Sequence, residues 1–154
     1  MNLLRAIHLL GLIAWFGTAA ADVVLELSLG RTGTRDGRRA LVRLHQRVDL
    51  LVEGPAAVVV IVTGVMLLNE TGRLAGPWPG WLVWKVGCGV LAAATNLVCA
   101  AFVVARARAF DAVPPSEDPW ASPSVRRWHR AILATGFGIP FAIGAFWLGF
   151  SHGS

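Results

Sequence analysis

Four stretches of this chain are long and apolar enough to cross a membrane as helices: residues 3–27, 44–68, 81–105 and 131–150, the last helix entered from about residue 126. Roughly 20 residues at about 1.5 Å of rise each span a hydrocarbon core of about 30 Å. Hydrocarbon offers the backbone no hydrogen-bond partners, so a segment of this length must satisfy its own, and a helix does that. Composition agrees. The chain is 55% hydrophobic and only 15% charged, with a mean hydropathy of +0.60, far from an ordinary soluble domain. Pro55 and Pro140 fall inside the second and fourth stretches and are expected to kink them, since neighbouring helices can re-satisfy the freed carbonyls. The expected fold is all-α: one antiparallel four-helix transmembrane bundle over residues 1–154, with both termini outside.

The net charge of +5 is informative through its placement. Arg31, Arg35, Arg38, Arg39, Arg43 and Arg47 lie between the first two stretches, and Arg106, Arg108, Arg126, Arg127 and Arg130 between the last two. The other side has Arg5 and Arg73 alone. The positive-inside rule makes both arginine-rich connections cytoplasmic, as in a bacterial-type inner membrane protein. Nucleic acid is excluded as a partner, because no folded reading surface carries these charges; anionic lipid headgroups are the partner they fit. The first stretch is read as a helix rather than a cleaved signal, since it runs long and carries Asp22 and Glu26. Residues 30–43 read as a short Gly/Arg/Thr-rich connector, and Trp78, Trp81 and Trp84 as an interfacial aromatic belt. Ser124 is the expected cap of the last helix. Cys88 and Cys99, eleven positions apart on one helix, are separated by about 16 Å, too far for a disulfide.

Residues seven or eleven apart share a helix face, and the polar residues inside the stretches obey that spacing. His8, Trp15, Asp22 and Glu26 share a stripe with Gly11 and Ala19 beside it. The second stretch aligns His45, Asp49, Ala56 and Thr63, with Glu53 at the edge; the third aligns Lys85, Gly89, Ala92, Asn96 and Cys99; the fourth aligns His129, Gly136, Pro140 and Trp147. Four polar stripes imply a bundle with a polar interior. Two layers follow from depth. His8 and Lys85, the only lysine, each lie about six residues into their helices and form an outer layer. His45, His129, Asp22, Glu26, Asp49 and Glu53 form an inner layer beside the arginines, expected to be a salt-bridge network; His45 and His129 are also the candidates there for a metal or a second haem. His152 reads as a solvated tail residue.

An ionisable residue at membrane depth is costly and usually marks a functional site. His8 and Lys85 therefore point to a bound cofactor, and helix-borne histidines facing a bundle interior suit haem iron. Zinc needs three or four ligands, and the outer layer offers one histidine and a lysine. There is no phosphate-binding Gly-rich loop, Ser/His/Asp set or CxxC motif.

The run from His8 through Trp15, His-Leu-Leu-Gly-Leu-Ile-Ala-Trp, resembles the first helix of the HemJ family, which has a His, six residues, then a Trp. Trp81-Leu-Val-Trp-Lys85 resembles that family's third-helix start, and the order Pro55, Thr63, Gly64 its second helix. Copper-resistance D-type membrane domains share the first-helix pattern. The resemblance implies a haem-b membrane enzyme that oxidises protoporphyrinogen IX, with His8 as a haem-iron ligand and Lys85 as the family's lysine. Trp15 would wall the pocket, and Asn96 stands where the family has a histidine. Two further departures are Ala21 to Glu26, which replace aromatic, Pro-Arg and Tyr-His elements, and Phe137-Gly138, which replace an Asn-Glu before the last proline.

The expected function is thus an integral-membrane haem-b protein of oxidoreductase or electron-transfer type. A reading of another class is a non-catalytic membrane subunit, or a copper or other metal-transport component without haem. Partners compatible with these readings are the bilayer, a second copy or larger membrane complex, and a porphyrin or redox partner.

Overall fold

The computed structural model describes residues 2–136 and 138–152; Phe137, half of the Phe137-Gly138 departure, lies outside them. The described residues are helical almost throughout. The first span is α1 (Leu3–Arg31); the second joins α2 (Arg35–Val48), a π-helical turn (Asp49–Glu53) and α3 (Gly54–Glu70); the third is α4 (Gly80–Asp111); the fourth joins α5 (Pro123–Thr135) and α6 (Gly138–His152). All four spans are long and apolar enough to cross a membrane.

The helices extend beyond the apolar stretches, and this corrects the connector reading. Residues 30–43 are not a loop: α1 runs to Arg31, α2 begins at Arg35, and only residues 32–34 connect them. Thr34 caps α2, its hydroxyl accepting the Gly37 N–H. The arginines thereby become helical side chains that tie the other connection. Arg35 donates to the carbonyls of Val113, Pro114 and Glu117, Arg38 pairs with Asp118, and Arg39 and Arg43 pair with Asp111. The last helix starts at Pro123 with Ser122, not Ser124, at its N-cap position. Proline suits that first turn because its missing N–H would have had no partner there.

Both prolines act through the turn before them. Pro55 has no N–H to give, and the helix widens just upstream, with Gly54 N–H donating to Asp49 O in an i to i+5 bond. A π turn holds one residue more than an α turn, so the inward face shifts by one position. Asp49 and Glu53, four positions apart, are both buried, and past the turn so are Ala56 and Ala57. Ahead of Pro140, α5 ends at Thr135 and α6 starts at Gly138. The break resets the helical phase, so Trp147, expected on the stripe of His129 and Gly136, is instead 66% exposed on the outer face.

Small residues set the spacing of α1 and α3. A side chain at Gly11 would lie 3.1 Å from Val60 Cγ2 and 3.2 Å from Val59 Cγ1, so this stripe serves close helix approach. Trp15, Ala56, Ala57 and Ala92 form the core between α1, α3 and α4. A second core, of Leu29, Val42, Ala107, Phe110 and Val125, joins α1, α2, α4 and α5 at the arginine-rich end. At the opposite end His152 belongs to α6 and stacks on Trp81 at 5.2 Å, so it is exposed yet partnered.

The arginine distribution predicts which way this bundle faces. Reporters fused after Ser154 and inserted at Gly33 are expected to report opposite compartments, with the Gly33 site cytoplasmic. A cytoplasmic C-terminal reporter would overturn the orientation.

Candidate functional site

The inner layer forms one connected group. Glu26 of α1 is its centre: His45 Nδ1 lies 2.7 Å from Oε1 and 3.1 Å from Arg106 Nη2, Arg106 Nη1 donates to Oε1 at 2.5 Å, and His129 Nδ1 lies 2.9 Å from Oε2. Trp120 packs on the His129 ring at 5.1 Å between centroids. Arg106 is 0% exposed, a position that its apparent place in a cytoplasmic connection did not suggest. Because α4 continues to Asp111, Arg106 projects from a helix into the bundle.

On the far side of the His45 ring, Nε2 faces two carboxylates. Asp49 Oδ1 lies 3.4 Å away and Asp22 Oδ1 3.6 Å away. All three atoms are buried and lack a hydrogen-bond partner among the described residues. His45 and Asp49 are one helical turn apart (i, i+4), and the π turn holds Asp49 and Glu53 on the inward side. That His-x-x-x-Asp spacing was the signal in the sequence for the pair. Glu53 Oε1 accepts from the Asn96 amide across the bundle.

A cavity of about 220 Å³ opens beside this group. Its inner wall carries Asp22, Glu26, His45, Glu53 and Asn96, and Trp15 closes one end. Val23, Leu27, Leu133 and Ile139 frame a mouth between α1 and the fourth span, all of them exposed on the outer surface. Most of the lining is apolar, and the polar groups occupy one part of the wall.

The outer residues His8 and Lys85 do not line this cavity. His8 is half-buried and its Nδ1 lies 2.9 Å from Thr63 Oγ1. The Thr63 hydroxyl proton is committed to Val59 O at 2.6 Å, so Oγ1 accepts and His8 Nδ1 carries the proton. Gly64 lies against the ring edge: a Cβ there would sit 3.5 Å from His8 Cε1. Lys85 lies over α6, where a Cβ at Gly149 would fall 2.9 Å from Nζ. Of the four residues expected to hold a cofactor, Trp15 and Asn96 share the cavity, while His8 and Lys85 lie against Thr63 and Gly149.

The chain belongs to the family described as "Predicted integral membrane protein (DUF2269)", whose model matches residues 2–151. No curated protein and no solved structure matches it.

Proposed function

We propose that this member of that integral membrane family is a haem-b protein of oxidoreductase or electron-transfer type, with His8 as an axial ligand. The observation that carries the reading is the hydrogen bond to Thr63. With the proton held on Nδ1, His8 keeps the lone pair on Nε2, the form in which imidazole binds iron. Thr63 then acts as the outer partner that fixes the ring's tautomer and orientation. Haem b held there would supply one-electron redox chemistry. Lys85, on its long stem beside Gly149, would pair with a propionate or serve as a second ligand once deprotonated. Trp15 and Asn96 line the interior cavity, Trp15 as a wall and Asn96 as a hydrogen-bond donor. Likeness to the HemJ family supports the same cofactor and suggests a porphyrinogen as the reduced substrate.

Purified full-length chain, produced with haem available, is expected to show a Soret band, together with visible α and β bands that sharpen on reduction with dithionite. His8→Ala is expected to abolish haem retention while the bundle still inserts, because insertion depends on the apolar spans. Thr63→Val should weaken retention by about 10–100-fold, the usual cost of losing an outer partner, and Lys85→Met should shift the spectrum or weaken retention. A wild-type chain that never holds haem, or His8→Ala with an unchanged Soret band, would overturn the assignment. The non-catalytic subunit or metal-transport reading would then take its place.

A further inference from the structure

We infer that Asp22, His45 and Asp49 form a binding site for a transition-metal dication of the Zn²⁺ type. One nitrogen and two oxygens of ligand type converge, with their three atoms all within 4.8 Å of one another. Imidazole with carboxylates is a donor set that such cations accept. His45 is 2% exposed and Asp49 4%, yet His45 Nε2, Asp49 Oδ1 and Asp22 Oδ1 all lack a partner among the described residues. Buried polar atoms without partners are rare and costly, and here three of them point into one gap.

Distances separate a metal from the competing occupant, a proton. An imidazolium Nε2–H bonded to either carboxylate would sit about 2.7–3.2 Å from its oxygen. The actual separations are 3.4 and 3.6 Å, long for such a bond. They match the edge of a tetrahedron whose metal–ligand bonds are about 2.0–2.1 Å, which is roughly 3.3–3.4 Å. The imidazole is also oriented for the task. Its Nδ1 is held between Glu26 Oε1 at 2.7 Å and Arg106 Nη2 at 3.1 Å, and this aims Nε2 into the gap. Charge points the same way: four buried or half-buried carboxyl groups, Asp22, Glu26, Asp49 and Glu53, share one guanidinium and two imidazoles. A dication offsets that excess. Asp22 and His45 also line the cavity, which gives the gap an open side.

The test uses full-length protein in detergent, stripped with chelator, reloaded with Zn²⁺ and desalted for elemental analysis. One equivalent is expected. Co²⁺ in its place should give a visible d–d spectrum of low-symmetry N/O coordination that Zn²⁺ abolishes. Glu26→Gln, which keeps all three ligands but weakens the hold on His45, should lower affinity by about 10–100-fold, and Asp49→Asn by more. If Asp49→Asn fails to fold, judged by its helical circular dichroism, the wild-type Co²⁺ spectrum and its displacement decide. Wild-type protein without bound zinc, or Asp49→Asn binding it as tightly, would overturn the site and leave His45 as an imidazolium. The inference does not rest on haem: His8→Ala should retain zinc, and a zinc-bound chain lacking a Soret band would sink the haem reading alone.

Discussion

Arg106→Met is expected to destabilise the bundle by about 3–5 kcal/mol, the largest effect of any single change in the inner layer. Arg106 is fully buried and donates to Glu26, which also holds His45 and His129. Methionine fills much of the same space but leaves a buried carboxylate without its guanidinium, and removing one partner of a buried pair carries a cost of this order. Thermal unfolding of the detergent-solubilised protein would measure it. Arg106→Met combined with Glu26→Gln should recover a substantial part of the loss, because the uncompensated charge is then gone. Equal stability for Arg106→Met and wild type would mean that the guanidinium does not neutralise this layer.

Phe110→Ala is expected to cost about 3–5 kcal/mol as well, for a different reason. Phe110 is 1% exposed and packs with Leu29, Val42, Ala107 and Val125, where the ends of α1, α2, α4 and α5 meet. Truncation there removes packed surface and leaves a cavity that four helix ends cannot all close. Leu97→Ala is the matched control. Leu97 is 73% exposed on the outer face of α4, where lipid tails are as apolar as the side chain they touch. Unfolding midpoints should therefore fall steeply for Phe110→Ala and little for Leu97→Ala. Similar shifts for the two would remove the case for a packed core at the arginine-rich end.

The inward stripes were readable because a helix in hydrocarbon has few ways to place a charge. Asp22, Glu26, His45, Asp49 and Glu53 all face the interior, as their spacing implied, and they lie together near one end. Other placements escaped one-dimensional reading. Arg106 was grouped with loop arginines because the apolar stretch ends at residue 105, whereas α4 runs on to Asp111. The seven-residue spacing points Trp147 inward only on a helical phase that the break between α5 and α6 does not preserve. For His8 and Lys85, expected at one depth, what the fold adds is their immediate neighbours, Thr63 and Gly149.

The number of the spans, their all-helical character and the polarity of their inner faces follow from the order of residues alone. Those properties are set locally, by backbone satisfaction in hydrocarbon and by the 3.6-residue period. Which polar groups meet is another matter. Glu26 lies 19 positions from His45 and 80 from Arg106, and no periodicity links such distant groups. Their meeting depends on how closely small residues such as Gly11 let the helices pack. That approach is a consequence of side-chain volume in three dimensions, settled only when the spans pack against one another.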